Sequence, residues 1–240
     1  VTETRDTRPV QLLLDLFDPL PQRFDNFEPL GNEALVATLE RFAVNEPMPG
    51  VTTPHLAIWG PAGSGKSHLL HAVAETVRRN GNVACYCPLR EPFLEPPPQL
   101  SGAVVLFDDL DVADAAAQEA LFHAFNRAER LKQRWLVAAN APPHQLPLRE
   151  DLRTRLALLP LLPVTPLDDT GRARLIARRA AEWGVAISDD AVRFLLTHAS
   201  RAIPELLLVL EAASEESLRR GKPITAPLVK AVWQLISQEP

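Results

Sequence analysis

The chain has 240 residues, of which 46% are hydrophobic and 23% are charged, and its formal net charge is -5 at pH 7. This length and apolar content suffice for one α/β module with a small appended domain. The mild acidity excludes the broad positive surface of a protein whose main task is gripping duplex DNA, although it leaves room for a local basic patch.

Residues 1–30 predict an N-terminal tail without a core of its own. The segment is rich in polar residues and prolines, and it contains one apolar run, Gln-Leu-Leu-Leu-Asp-Leu-Phe at residues 11–17. The flanking residues are too polar to shelter these leucines, so the run needs a partner. It either packs on the module as an extra strand or helix, or it binds another protein.

Strands and helices alternate from residue 31 to about residue 163. Apolar residues at helical spacing predict a first helix over 32–42, and residues 55–59 predict a short buried strand. A helix follows up to residue 80, and further strands are predicted at 83–86, 103–107 and 135–139, with an amphipathic helix over 114–131. This alternation indicates a parallel sheet covered by helices, in an α/β domain over residues 31–166.

After Pro166 the strand signals stop. Three or four helical stretches follow, over 168–183, 189–199, 204–220 and 225–237. We therefore expect a small all-helical domain over residues 167–240.

The number of cysteines and the length of the apolar runs indicate the cellular compartment of the protein. Cys85 and Cys87 are too few for a disulfide framework or a metal site and are expected to be reduced thiols. No apolar run approaches the roughly 18 residues of a membrane helix, so we expect a cytoplasmic protein that does not enter a membrane.

Residues 60–67, Gly-Pro-Ala-Gly-Ser-Gly-Lys-Ser, satisfy the phosphate-loop pattern G-x-x-x-x-G-K-[ST] directly between a strand and a helix. Glycines let backbone N–H groups converge on phosphate oxygens, and the helix N-terminus adds partial positive charge. Lys66 is expected to reach the β and γ phosphates of ATP or ADP, and Ser67 the Mg²⁺ ion. The alternative is an accidental glycine-rich turn. It is disfavoured because the strand and the helix that the motif requires are both predicted beside it. The predicted nucleotide-binding residues are Gly60, Pro61, Ala62, Gly63, Ser64, Gly65, Lys66, Ser67 and His68.

An acidic pair follows the strand at residues 103–107. Asp108 and Asp109 stand where the carboxyl ends of parallel strands line up, which is where α/β proteins bind ligands. Asp108 is predicted to hold Mg²⁺ through water and Asp109 to orient the attacking water. The alternative is a helix-capping pair in a loop. Asn140 ends the next strand and is predicted to touch the γ phosphate or the water, although such an asparagine is also common in turns.

Arg153 and Arg155 lie just before the end of the module, where the strand and helix pattern stops near residue 163. An arginine on this flank can stabilise the charge of a nucleotide bound by a neighbouring molecule. Taken without further context, both side chains are better explained as solvated helix charges.

The order of these motifs resembles the DnaA/Hda family of AAA+ proteins over nearly the whole chain. Residues 24–27, 60–72, 108–109 and 122–126 resemble its first segment, phosphate loop, acidic pair and following helix. Residues 139–143 resemble its first sensor, with Asn140 in place of the usual Asp. Residues 151–156 resemble its arginine-finger box, with Arg155 at the finger position.

The resemblance implies a P-loop AAA+ module with a helical lid that regulates the replication initiator DnaA. A helix-turn-helix domain like that of the initiator is not found before residue 240, and only residues 88–103 replace its longer single-strand-binding helices. We therefore expect no sequence-specific DNA binding. Self-association of the chain stays open.

The apolar run of the tail gains meaning from this resemblance. Residues 11–16 fit Q-L-x-L-x-L, which is similar to the sliding-clamp-binding motif near the N-terminus of short family members. Residues 13–17 also resemble the related L-D-L-F ending, so two registers of the motif are open. An extended peptide with a glutamine anchor and apolar plugs can fill a preformed pocket. The predicted clamp-binding residues are Gln11, Leu12, Leu14, Leu16 and Phe17.

One departure concerns the second sensor in the lid. Where the family carries arginine in an R-E-L stretch, this chain has Pro204 before Glu205 and Leu206. Proline cannot contact a γ phosphate, so either Arg201 substitutes or the nucleotide is sensed less stringently. The sequence thus predicts weak intrinsic ATPase activity and a role as activator of DnaA-bound ATP hydrolysis on the DNA-loaded clamp. The alternative is a nucleotide-switched factor that recruits or loads a replication protein.

Overall fold

The computed structural model describes residues 21–90, 99–198 and 202–237. The chain divides into two compact units, with the boundary between Pro166 and Leu167. The predicted clamp-binding residues at 11–17, and Arg201 in the lid, lie outside the described residues. In the described part, no helix combines the length and the apolarity needed to cross a bilayer.

The first unit, Gln22–Pro166, contains an α/β fold. Short 3-10 turns lie at Leu110–Val112 and Pro143–Gln145. The elements in chain order are α1 (Glu33–Val44), β1 (His55–Trp59), α2 (Lys66–Arg79), β2 (Ala84–Pro88), β3 (Val104–Asp108), α3 (Ala115–Ala128), β4 (Arg134–Ala139), α4 (Glu150–Leu156) and β5 (Leu161–Pro163).

The sheet has five strands in the order β2-β3-β4-β1-β5, and every adjacent pair is parallel. The predicted α/β fold class with a parallel sheet is therefore confirmed. β2 ends two residues later than predicted, at Pro88, because Cys87 and Pro88 pair with the end of β3. A proline is tolerated there since β2 is an edge strand, where one side of the backbone needs no ladder partner.

Helices cover both faces of the sheet, as its apolar strands require. On one face α1 and α2 pack through Leu39, Phe42 and Val73 against strand residues such as Leu106. On the other face α3 and α4 pack against Phe107 and its neighbours. All five residues of β3 are buried, which explains why its sequence is apolar up to the aspartate at its end.

Residues 22–30, which the sequence analysis assigned to the tail, form part of the α/β unit. Phe27 is 8% exposed and belongs to the core that α1 and α2 share. The Phe24 carbonyl accepts a hydrogen bond from the Phe27 N–H at 3.2 Å, so the segment turns back onto the module.

The second unit is helical in its described part. Asp168 accepts a hydrogen bond from the Gly171 N–H at 2.8 Å and caps the first helix. Ile176, Leu195, Leu210 and Val229 contribute one buried residue from each helix to a common core. The helices are α5 (Asp169–Glu182), α6 (Asp189–His198), α7 (Ile203–Arg220) and α8 (Ala226–Ser237).

Asn32 joins the start of α1 to the end of the sheet. Its side chain is 3% exposed; Nδ2 donates to the Thr165 carbonyl at 2.9 Å and Oδ1 accepts from the Thr165 N–H at 2.8 Å. We expect Asn32→Ala to lower the free energy of unfolding by about 2 kcal/mol, because two backbone groups lose their partner. Denaturant unfolding measures this loss.

Asn82→Ala is the matched control. Asn82 is exposed, and among the described residues its side-chain amide donates only to the nearby Asn80 carbonyl. This substitution should change the free energy of unfolding by less than about 0.5 kcal/mol. Equal effects of the two substitutions would contradict a structural role for Asn32.

Candidate functional site

The candidate phosphate loop connects β1 to α2 and is held close to the sheet. The Gly60 N–H donates to the Ala139 carbonyl at 3.1 Å, which ties the loop to β4. A Cβ atom at Gly60 would lie 2.4 Å from the Val164 carbonyl oxygen, so no larger residue fits without moving backbone. The loop therefore starts at a fixed point of the carboxyl edge of the sheet.

The far end of the loop is open to an anion. Gly65 has φ 96° and precedes α2, whose N-terminus is not capped by a side chain. A Cβ atom there would lie 2.8 Å from Phe27. The Ser64 hydroxyl is buried without a hydrogen-bond partner in the described residues. Free N–H groups at a helix N-terminus and an unsatisfied buried hydroxyl are the groups that phosphate oxygens satisfy, so the loop fits a nucleotide phosphate.

Lys66 begins α2 and is 8% exposed. Its ammonium donates to the Gly60 carbonyl at 2.8 Å, to the Pro61 carbonyl at 3.0 Å and to Asn140 Oδ1 at 2.9 Å. Burial lowers the pKa of Lys66 from its usual value, while the nearby Asp108, Asp111 and Asp109 carboxylates oppose that shift. Three acceptors satisfy the three donors of the ammonium and hold it at the mouth of the loop.

Asn140 lies at the carboxyl end of β4 and connects Lys66 to Asp111. While its Oδ1 accepts from Lys66, its Nδ2 donates to Asp111 Oδ2 at 2.6 Å and its backbone N–H donates to Asp111 Oδ1 at 2.9 Å. Asp111 was not among the residues predicted from the sequence, although it follows the acidic pair in the same turn.

Asp108 is 1% exposed, and both of its oxygens accept hydrogen bonds. Tyr86 OH donates to Oδ2 at 2.7 Å, and the Asp109 N–H donates to Oδ1 at 2.9 Å. The Tyr86 ring stacks on His71, with 4.2 Å between ring centroids. Each carboxylate oxygen keeps a second lone pair, so Asp108 can still accept from water on a metal ion.

Asp109 is bound by an arginine that the sequence analysis also missed. Arg90 donates to Asp109 Oδ2 from Nε at 2.7 Å and from Nη2 at 2.6 Å. Asp109 itself has φ 58° and starts the short turn after β3. Arg90 follows the end of β2, and in a parallel sheet this places it beside the end of β3.

The Mg²⁺ ion that such sites use would be held by Ser67 and, through water, by Asp108. Ser67 is exposed in the first turn of α2. In the described residues no group of three or more His, Cys, Asp and Glu side chains is arranged to hold a metal, so the remaining ligands would be phosphate oxygens and water. His68 uses its Nε2 in a contact of 2.9 Å with the Arg23 carbonyl and packs on Phe27, so its contribution to the loop is its backbone.

Arg155 belongs to a second location, on α4. Its guanidinium donates to Asn126 Oδ1 and lies over the rings of Phe122, 4.6 Å from the centroid, and Phe125, 5.6 Å away. It lines an open groove of about 730 Å³ together with Phe122, Arg149, Glu150, Asp151 and Thr154. The contacts described for Arg155 are thus made to α3, not to the phosphate loop of its own chain.

The fold brings together the phosphate loop, Asp108, Asp109 and Asn140 at one edge of the sheet and leaves Arg155 outside this group. Tyr86, Arg90 and Asp111 complete the group. A search of the residues just after each predicted strand would have found Arg90 and Asp111, because the ends of parallel strands share one edge.

Comparison with known proteins identifies the lid and the fold. A family model described as "Hda, lid domain" matches residues 169–233. Domain III of the replication initiation protein DnaA from Thermotoga maritima superposes with a TM-score of 0.68 at 18% identity, over 90% of this chain and 97% of that one.

Two further solved structures have the same fold. AMPPCP-bound DnaA from Aquifex aeolicus superposes with a TM-score of 0.65 at 20% identity, over 86% of this chain and 70% of that one. The RuvB Holliday junction branch migration motor of Thermotoga maritima superposes with a TM-score of 0.64 at 19% identity, over 90% of this chain and 72% of that one. At these identities the likeness establishes a shared fold and no more.

Tyr86 is the one tyrosine of the chain, so its titration can be followed by ultraviolet absorbance. Burial, the hydrogen bond to Asp108 and the charge of Asp108 raise the pKa of Tyr86 above its usual value. We expect phenolate to form only well above pH 10 in the folded protein and near pH 10 after unfolding in urea. Because the folded state holds this proton more tightly, its contribution to stability is complete below about pH 10 and is lost above it.

Asp108→Asn should bring the titration of Tyr86 closer to its usual range, since it removes the neighbouring negative charge. Phenolate formation near pH 10 in the folded wild-type protein would contradict the described contact.

Proposed function

We propose that this chain is an Hda-like protein of the DnaA/Hda family of AAA+ proteins and that it inactivates the replication initiator DnaA. It would bind the DNA-loaded sliding clamp through its tail and stimulate the hydrolysis of DnaA-bound ATP. The lid match and the AAA+ fold support the coarser conclusion, a replication regulator related to DnaA. The observation that carries the finer proposal is the position of Arg155, away from its own phosphate loop and beside an open groove.

The chain is proposed to bind ATP or ADP at residues 60–67. The unsatisfied Ser64 hydroxyl, the uncapped α2 and the poised Lys66 support phosphate binding. A bound Mg²⁺ ion would neutralise phosphate charge at Ser67 and Asp108. Phosphate oxygens would compete with the Gly60 and Pro61 carbonyls for the Lys66 ammonium, which then donates to the nucleotide.

Two features of the chain support slow hydrolysis of its own nucleotide. The Asp109 carboxylate, which would orient the attacking water, is bound at Oδ2 by Nε and Nη2 of Arg90. Pro204 stands at the second-sensor position and lies in the first turn of α7, where a missing N–H costs nothing. A proline has no group that could donate to a γ phosphate.

Arg155 would act on the nucleotide of the partner. The guanidinium is held by the Phe122 and Phe125 rings and by Asn126, and it remains half-buried at the surface of the groove. This arrangement restricts its side-chain freedom before the partner arrives. An oriented arginine placed against the γ phosphate stabilises the charge that develops during phosphoryl transfer.

Clamp binding is proposed from the sequence of residues 11–17. A second candidate function, a nucleotide-switched factor that recruits or loads a replication protein, would use the same phosphate loop and tail but would not need Arg155. The arginine therefore separates the two functions.

The decisive experiment mixes the chain with clamp, DNA and ATP-loaded DnaA and follows phosphate release. Arg155→Ala should slow the stimulated hydrolysis by about a thousandfold, the usual effect of removing an arginine finger, while clamp binding is retained. Unchanged hydrolysis would favour the recruitment function.

Arg153→Ala is the matched control, because Arg153 lies on the same helix two residues earlier and is also half-buried. It should alter the stimulated rate by no more than about twofold. A parallel variant with alanine at Gln11, Leu12 and Leu16 should lose clamp binding and stimulation together while the fold is retained.

Without DnaA, the purified chain should hydrolyse far less than about one ATP per second, a low rate for an enzyme. Steady-state measurements with an excess of radiolabelled ATP over protein provide the test. Rapid multiple turnover by the isolated chain would refute the proposed engagement of Asp109 by Arg90.

A further inference from the structure

The Asn140 amide lies between two groups of opposite hydrogen-bonding character. Lys66 offers only donors and the Asp111 carboxylate only acceptors. Oδ1 therefore faces Lys66 at 2.9 Å and Nδ2 faces Asp111 at 2.6 Å. Turning the amide over would set an N–H₂ group against the ammonium and an oxygen against the carboxylate, so one orientation alone satisfies both neighbours.

We infer that Asp111 is a positioning residue of the nucleotide site, which fixes the Asn140 amide so that its oxygen faces Lys66. The inference rests on the proposed nucleotide binding at residues 60–67. It assigns Asp111 no contact with nucleotide or metal; the residue acts through Asn140.

The turn that carries Asp111 is well anchored. Leu110 is 1% exposed, and the Val112 N–H donates to the Asp109 carbonyl at 3.1 Å. Asp111 also receives the backbone N–H of Asn140 at 2.9 Å, so it holds both the main chain and the side chain at the end of β4. Two hydrogen bonds to one carboxylate define the orientation of the amide more sharply than one could.

The orientation decides what Asn140 can do. Its oxygen can accept a hydrogen bond from the Lys66 ammonium or from a water molecule, but it would repel a phosphate oxygen. Asn140 therefore places the lysine or the water through its oxygen. A contact with the γ phosphate could come only from the second N–H of Nδ2, because the first is donated to Asp111.

The contact between Asp111 and residue 140, hereafter the pair, also explains why position 140 holds an amide. A carboxylate at this position would stand at hydrogen-bond distance from the Asp111 carboxylate, and two like charges so close destabilise each other. Exchanging the two residues restores one amide and one carboxylate and leaves the net charge of the site as in the wild-type protein.

Four proteins test the inference: wild type, Asp111→Asn, Asn140→Asp and the exchanged double variant Asp111→Asn/Asn140→Asp. Calorimetry with ADP and Mg²⁺ measures the Kd of each. Asn140→Asp should weaken ADP binding by about tenfold, since it leaves a charge-assisted hydrogen bond unmade and adds negative charge beside the phosphates.

Asp111→Asn should weaken ADP binding by about fivefold in the wild-type background, because Asn140 is no longer held, and strengthen it by about fivefold in the Asn140→Asp background. This change of sign between the two backgrounds is the result expected if Asp111 acts by positioning the side chain of residue 140. If Asp111 acted only through its negative field, its removal would change the Kd in the same direction in both backgrounds, and that result would overturn the inference.

Thermal unfolding of the same four proteins without nucleotide provides an independent measure of the pair. Asn140→Asp should lower the Tm, and adding Asp111→Asn should raise it again. If wild type fails to bind ADP while this pattern holds, the proposed function fails and the pair stands. If wild type binds ADP and the effects on Kd and Tm simply add, the inference fails and the proposed function stands.

Discussion

The buried ammonium of Lys66 is the constraint on which the candidate site depends. A charge that is 8% exposed needs acceptors around it, and they come from two strands: the Gly60 and Pro61 carbonyls after β1 and the Asn140 amide after β4. β1 and β4 are parallel neighbours, so their carboxyl ends deliver these acceptors to one point. The order of strands in the sheet thus decides whether the lysine can be buried at all.

The acidic side chains of this edge are organised around the same need. Tyr86 binds Asp108, Arg90 binds Asp109 and Asn140 binds Asp111, so each carboxylate has a partner. The carboxylates compensate the lysine charge, and the Arg90 guanidinium in turn compensates Asp109. The arrangement also engages the groups that would drive hydrolysis, which agrees with a chain that binds nucleotide and leaves rapid catalysis to a partner complex.

Arg155 gives the α/β unit a second functional location under the proposal. Its contacts with Phe122, Phe125 and Asn126 come from one face of α3, so a helix that covers the sheet also holds the proposed finger. The Lys66 site would bind the nucleotide of this chain, and Arg155 would address the nucleotide of DnaA. The two locations belong to helices on opposite faces of one sheet, α2 on one face and α3 and α4 on the other, so one small module has room for both proposed roles.

The sequence by itself determined the elements and the phosphate loop, because apolar periodicity and the spacing of glycines, Lys66 and Ser67 are local properties. The tertiary structure alone decided the roles of Tyr86, Arg90 and Asp111 and the orientation of Asn140. These depend on strand order and on side chains far apart in the chain, such as Arg90 and Asp109. Local patterns specify which strand forms but not which strand lies beside it, and hydrogen-bond partners at a sheet edge are set by those neighbours.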